Sequence, residues 1–441
     1  MERLPNHEAM IDPKVCARMR EDWNARAQED ANYYVAFGRR GQPLEEFFDT
    51  ANEVAVSIAR ELKRLPPSNR LRALEIGCGP GRLIRPLSSL FGEIHGVDVS
   101  DAMVRLARER LQDLPNVYVH ATSGADLAPF ASDSFDLVYS YAVFQHIPSE
   151  EVVFQYLRES RRVLKTGGIL RCQINGLPET AARYDTWNGV RISAGKIAAF
   201  AQRHDFQLLA LEGVETQYMW VTMRKRPQGW SKCLAATPPP EGIRIRRITS
   251  ANSSEPGAPP VGRFAAISIW VEGMPEDCDI NHMGVWVGGR RAFCTYMGPE
   301  ESGALRQVNA LLPAGLSTGL QLVEMRWGGA PVGPAATLRV IPPPPAVPRI
   351  VSVTDGINLL CRYRTETGTV KVTLEEAVEV DRLRASVGGL PVYELDTFCT
   401  DPRVPRHEVN FRISPGLKPG TYELIVQLGK RLLRAPLTVA G

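Results

Sequence analysis

Three glycines and two acids carry the chemistry that this sequence announces. The run LEIGCGPGRL, Leu74 to Leu83, sets Gly77, Gly79 and Gly81 at alternate positions behind Glu75, and the run EIHGVDVS, Glu93 to Ser100, carries Asp98 and Val99 at its end. Glycines so spaced, with Cys78 between the first two, let a backbone turn sharply and pass close to a ligand. Glu75 could orient that loop or take a polar contact, and Asp98 falls where a ribose diol lies in a doubly wound sheet. Arg82 stands where the dinucleotide fingerprint needs its third glycine, so a smaller ligand without a pyrophosphate fits better. Farther on, Tyr141 to His146 read as a turn, and the His146 imidazole could take a proton from a hydroxyl or an amine near neutral pH. The other reading is that His146 only shapes a pocket.

These residues need elements to hold them. From Cys16 to Leu62 apolar residues recur at helical spacing, and Pro66 and Pro67 stop that pattern before a first strand at Leu71. The glycine loop leads to a helix start, then to the Glu93 strand, then to a helix capped by Ser100 or Asp101. NVYVHAT (Asn116 to Thr122) is a third strand, followed by the loop Ser123, Gly124, Ala125 and Asp126. SFDLVYSYAVFQHIP (Ser134 to Pro148) holds a fourth strand, opened by Asp136, and the turn beyond it. A helix ending at Lys165, with Gly167 and Gly168 as its stop, precedes the strand GILRCQI. An irregular stretch from Asn175 to Arg191, a helix and two apolar strands complete the series. This alternation predicts an α/β fold built on a doubly wound, Rossmann-like sheet, with ligands at the carboxyl ends of the strands.

In this order the motifs resemble the class I S-adenosylmethionine-dependent methyltransferases, in the small-molecule, methyltransferase type 11-like branch. The resemblance implies a seven-stranded sheet closed by an antiparallel hairpin, with S-adenosyl-L-methionine as cofactor. It implies a cofactor site made of Glu75, Gly77, Cys78, Gly79, Gly81, Asp98, Val99, Ser123, Gly124, Ala125 and Tyr141. The family's usual acid near the adenine has only Asp126 to answer for it. A leading segment caps the cofactor in such enzymes, which puts Trp23, Tyr33 and Tyr34 near it unless they merely pack the helices. Tyr184 and Trp187, in the irregular stretch, either roof the acceptor or belong to surface loop; Tyr33, Tyr34, Tyr184 and Trp187 are the candidate substrate residues. His146 is the candidate catalytic residue.

At TPPPEG, Thr237 to Gly242, the composition turns to short strands rich in proline and glycine, and IPPPPAVP, Ile341 to Pro348, marks a second linker. Between and after them lies a repeat: QVNALLPAGLSTG from Gln307 matches EVNFRISPGLKPG from Glu408, and Val287, Gly288, Gly289 recur as Val387, Gly388, Gly389. A long period with short strands predicts two all-β sandwiches, which resemble IPT/TIG-type immunoglobulin-like modules. The expected divisions are a helical cap over residues 1–70, a methyltransferase core over 71–228, and modules over 243–341 and 347–441. Few contacts are expected across Thr237 to Gly242.

The net charge of +3, from 52 basic and 49 acidic side chains, gives no sign of a nucleic-acid or membrane partner. The first residues, MERLPNHEAM, lack a signal-peptide core, no run has the length of a membrane span, and eight scattered cysteines suggest neither a metal site nor a disulfide framework. The expectation is a cytoplasmic methyltransferase acting on a small-molecule substrate, with modules open to a protein or carbohydrate partner. The alternative is a cofactor-binding scaffold that uses the modules without turnover.

Overall fold

The computed structural model of the chain describes residues 11–36, 40–181, 183–301 and 304–441; Met1 to Met10, read above for a leader, lie outside them. The apolar runs become β1 (Arg72–Ile76), β2 (Glu93–Asp98), β3 (Val117–Ala121), β4 (Phe135–Ser140), β5 (Leu164–Ile174), β6 (Phe206–Glu212) and β7 (Met219–Lys225). They lie in the order β3-β2-β1-β4-β5-β7-β6, the first five parallel and β7 antiparallel to both neighbours. The helices are α1 (Pro13–Ala36), α2 (Leu44–Asp49), α3 (Asn52–Ala59), α4 (Ile84–Leu87), α5 (Asp101–Arg110), α6 (Glu150–Val163), α7 (Ala194–Arg203) and α8 (Trp230–Ala236). Serine caps start three of them: the hydroxyls of Ser100, Ser149 and Ser193 accept the N–H of Met103, Val152 and Lys196. Asp136 pins the start of β4 by accepting the Arg72 N–H at 2.8 Å and the Lys165 ammonium at 2.9 Å.

Two local expectations change. The helical pattern that reaches Leu62 is interrupted where the Thr50 hydroxyl turns back to the Phe47 carbonyl at 2.6 Å, leaving α2, α3 and a 3₁₀ turn at Arg60–Arg64. Lys165 is already in β5, because the helix ends at Val163 and Gly167 is absorbed within the strand at a positive φ.

By its contacts the chain forms two compact units, one running to Asn24 and from Ala51 to Pro344, the other made of Ala25–Thr50 and the chain from Pro345 on. In the first unit the seven-stranded sheet is followed by β8 (Arg244–Ser250), β9 (Gly257–Ala258), β10 (Ala266–Glu272), β11 (Met283–Val287), β12 (Arg290–Glu301), β13 (Leu305–Leu311), β14 (Gly319–Trp327) and β15 (Ala330–Val340). One layer runs β8-β10-β13-β12 and the other β12-β11-β14-β15-β9. Contrary to the expectation of few contacts across Thr237 to Gly242, these strands share a core with the sheet before them: Phe200, Leu208 and Leu211 join one apolar cluster with Ile267, Cys278, Met283 and Val308. Tyr296 of β12 pairs with Ala210 at the open edge of β6. The Gln207 amide donates to the carbonyls of Glu276 and Cys278 at 2.7 and 2.8 Å, and the Ile280 N–H to that of Leu208 at 3.1 Å.

The second unit repeats the strand plan with β16 (Arg349–Asp355), β17 (Arg364–Thr365), β18 (Thr369–Glu375), β19 (Arg384–Val387), β20 (Leu390–Pro391), β21 (Tyr393–Asp401), β22 (Arg406–Arg412), β23 (Gly420–Leu428) and β24 (Arg431–Val439). Its layers run β16-β18-β22-β21 and β17-β24-β23-β19-β20, around a core of Val353, Val370, Val372, Val409, Phe411, Leu424 and Val426. The C-terminal half is therefore built of packed β-sheets, as the sequence pattern predicts. All eight cysteines are free thiols.

Candidate active site

The glycine loop leaves β1 tied to its neighbour strand, since the N–H groups of Gly77 and Cys78 both donate to the Val97 carbonyl, at 2.8 and 3.0 Å. Gly77 has φ +71°, and a Cβ there would lie 2.4 Å from a Val143 methyl, so the loop passes the β4 turn at a distance only glycine allows. Asp98 then joins the two motifs: one carboxylate oxygen accepts the Gly79 N–H at 2.9 Å and the other the Ser100 N–H at 2.8 Å. Burial pushes its carboxyl up to about 6, against the pull of the Ser100, Gly79 and Val99 N–H groups.

Glu75 is buried and accepts the Tyr139 hydroxyl at 3.0 Å. Burial pushes it up to about 8, opposed by that hydrogen bond and by the Arg82 charge, with Asp98 adding to the rise. The Arg82 guanidinium lies 5.4 Å from the Tyr141 ring, which stacks on Trp220 at 5.6 Å.

The start of α1 closes this end of the sheet through residues that the sequence reading missed. The Asn24 side-chain oxygen accepts the Ser100 hydroxyl at 2.7 Å and the Ala102 N–H at 3.1 Å, and the Arg20 guanidinium donates to the Thr122 carbonyl at 2.7 Å. Cys16 and Met19 border Gly124, whose φ is +99°. Nothing in their helical spacing marks these four out. In the loop after β3, the Ser123 hydroxyl bonds to Asp126 and accepts the Ala125 N–H, while Asp126 also accepts the Ala128 N–H. Asp126 is thereby turned onto its own loop.

His146 sits in a 3₁₀ turn, Phe144–His146, and is buried. Its Nδ1 lies 3.1 Å from the Trp187 carbonyl, which requires a proton on Nδ1 and leaves the lone pair on Nε2. The Trp23 ring meets it edge-on at 5.6 Å. The stretch from Asn175 to Arg191 is stitched across this turn: the N–H groups of Gly189 and Val190 donate to the carbonyls of Gln145 and Ile147, and Thr186 donates to Asp22 at 2.5 Å. A Cβ at Gly189 would lie 2.5 Å from the Gln145 oxygen. Tyr184 and Trp187 lie in this stretch, and Trp187 is half exposed. Tyr33 and Tyr34 belong to the second unit, where the Arg40 guanidinium lies 4.0 and 4.9 Å from their rings.

Residues 74–172 match the family model of a methyltransferase domain. The N-terminal part of the chain therefore carries a class I methyltransferase domain with a Rossmann-like sheet. Among curated proteins, a ubiquinone biosynthesis O-methyltransferase from Ruegeria sp. (strain TM1040) is 32% identical over 134 residues, covering 30% of this chain and 52% of the relative. One of the same name from Cereibacter sphaeroides (strain ATCC 17029 / ATH 2.4.9) is 28% identical over 131 residues, with the same coverage. The chain thus spans about half the length of the curated relatives it matches. Among solved structures, phosphoethanolamine N-methyltransferase 1 from Haemonchus contortus is similar with a TM-score of 0.36 and 15% identity, over 51% of this chain and 52% of that one. The YcgJ protein from Bacillus subtilis is similar with a TM-score of 0.32 and 24% identity, over 36% and 70%. Among the described residues no cluster of His, Cys, Asp and Glu could hold a metal ion, and no helix is long and apolar enough to cross a membrane.

Proposed function

We propose that this protein transfers a methyl group from S-adenosylmethionine to a small-molecule acceptor. The observation that carries the proposal is the Gly79 to Asp98 tie, which holds a glycine cradle and a buried acid together at the carboxyl ends of β1 and β2. The cofactor would supply an electrophilic methyl on a sulfonium, for which the protein has mainly to align the acceptor and exclude water. Gly77, Cys78, Gly79 and Gly81 leave room for the cofactor against the loop backbone. Asp98 and Val99 would meet the ribose, Ser123, Gly124 and Ala125 the adenine, and Tyr141 the amino-acid end. Tyr184 and Trp187 would roof the acceptor. His146, whose Nε2 lies 3.4 Å from the Gln145 amide nitrogen, would shape the pocket or receive the proton that the acceptor releases. The relatives' name, O-methyltransferase, favours a hydroxyl acceptor.

The test is calorimetry with S-adenosylmethionine and S-adenosylhomocysteine, followed by turnover on a panel of hydroxylated metabolites. Asp98→Ala should weaken cofactor binding by about 1–3 kcal/mol, because ribose hydroxyls would lose a charged acceptor. Equal affinity in both proteins would reject the ribose assignment.

The finer reading of the C-terminal half is that its two sandwiches are immunoglobulin-like modules of IPT/TIG type, offered to a protein or carbohydrate partner. The repeated strand order supports it, and eight free thiols accord with a cytoplasmic location. Binding of the full chain to a glycan array would test the carbohydrate arm.

A further inference from the structure

We propose that the first unit carries a binding site for the phosphate group of a soluble small molecule, at the end of the sheet opposite the glycine loop. There a cavity of about 300 Å³ is lined by Ser132, Asp133, Arg158, Arg161, Arg162 and Lys225. It lies where β4 and β5 begin and antiparallel β7 ends: the N–H groups of Asp133 and Ser134 bond to the carbonyls of Arg162 and Val163, and Lys225 closes β7. Four cationic side chains thus stand against two carboxylates, Asp133 in the lining and Glu159 beside Arg162.

The way these cations are held leaves charge over. Arg161 donates to the carbonyls of His204 and Arg226, and Arg158 to the Gln155 amide oxygen at 2.9 Å. Neither pairs with a carboxylate among the described residues. Arg162 donates to the carbonyls of Phe130 and Leu127 at 2.7 and 3.0 Å as well as to Glu159, and Lys225 to the Leu164 carbonyl at 2.6 Å as well as to Asp133. Carbonyls satisfy N–H groups and fix their directions, yet they cancel no net charge. The Lys225 side chain is only 8% exposed, so this ammonium is set in place before any ligand arrives. A field of this sign is felt nearby: burial first, then the charges of Arg158, Arg203 and Arg161, hold the His204 imidazole down at about 4.

A phosphate group answers this arrangement better than a carboxylate does. It carries more charge and offers acceptor oxygens in several directions to guanidinium forks. A recess of this size suits a small ligand. The site is independent of the methyl-transfer proposal, because none of its residues belongs to the glycine-loop end.

The test is thermal unfolding and calorimetry of the full chain with pyrophosphate and inorganic phosphate, against sodium chloride at matched ionic strength. Pyrophosphate should raise the unfolding temperature saturably and more than phosphate does. Arg158→Gln, which gives up only one side-chain hydrogen bond, should weaken pyrophosphate binding by about tenfold or more. A response equal to that of chloride, or unchanged binding in Arg158→Gln, would overturn the site. So would sedimentation with phosphatidic-acid vesicles that pyrophosphate fails to displace, since the cations would then serve a membrane surface.

Discussion

Asp98 at the end of β2 and Asp279 in the loop between β10 and β11 invite comparison. Both are buried carboxyls that accept backbone N–H groups, and burial raises both, Asp98 to about 6 and Asp279 to about 7. Asp98 binds the Gly79 N–H, 19 residues away, inside a single strand-loop-strand motif. Asp279 binds the N–H of His282 within its own loop at 2.9 Å and approaches that of Leu208, 71 residues away on the outer strand of the sheet, at 3.4 Å. The same local chemistry therefore orders a ligand loop in one place and rivets a later set of strands to the sheet in the other.

The strongest way to break this comparison is to cut the chain after Thr237. That removes Asp279 and uncovers Leu208 and Leu211, and each buried leucine contributes about 1.5–3 kcal/mol. The fragment should be insoluble, or should unfold far below the full chain in a thermal melt. A soluble fragment with the parent's melting temperature would show that the rivet holds nothing.

A smaller loss is expected from Asp279→Ala. Buried N–H groups left without their acceptor cost about 1–3 kcal/mol, to be read from denaturant unfolding, while cofactor affinity stays at the parent's value. Asp98→Ala should show the reverse pattern, with affinity falling more than stability.

Acidity sharpens the contrast further. The Asp279 carboxyl stands above its ordinary 3.8 in the folded protein, so its contribution to stability is complete below that value and is lost as pH rises through about 7. Asp279→Asn should flatten this part of the stability profile. At Asp98 the ribose hydroxyls would donate to the carboxylate form, so cofactor affinity should fall as pH drops below about 6. An affinity flat from pH 5 to 8 would remove Asp98 from the ribose.

The smallest effect is expected at His146. Asparagine can still donate to the Trp187 carbonyl, so His146→Asn should keep turnover within about tenfold and mainly raise the acceptor KM. A loss of about a hundredfold or more with cofactor affinity intact would make His146 the base.

What could be read from the sequence follows the same division by distance. β1 to β7 and the place of Asp98 at the end of β2 were legible because strand, glycine loop, helix start and strand follow one another in the chain, whereas the Gly79 to Asp98 hydrogen bond was not read from it. The Ser100 cap was legible for the same reason. The repeat was legible because Gln307 to Gly319 and Glu408 to Gly420 resemble one another residue by residue, and both fold into the same order of strands. The Asn24 and Arg20 contacts were not, because a polar residue on a helix looks alike whether it faces water or a loop end. The Arg40 contact of Tyr33 and Tyr34 was not legible for a similar cause: adjacent aromatics signal packing without naming a partner. Cross-linker contacts such as Gln207 with Cys278 leave no local trace, and a proline run reads as a boundary whether or not the elements beside it share a core.

The pairing of Tyr296 with Ala210 has a meaning for self-association. An outer strand with unpaired N–H and carbonyl groups is a template for the same strand of another molecule, and proteins guard such strands with charges, prolines or covers. Phe206 to Leu211 are buried residues that carry neither charge nor proline, and the charges of Asp205 and Glu212 stand only at the two ends of the run. The cover is β12 and the loop before β11, joined to the sheet through the same polypeptide and therefore present at every concentration. Dilution cannot strip such a cover away, and a mutation that loosens it should appear first as aggregation through β6.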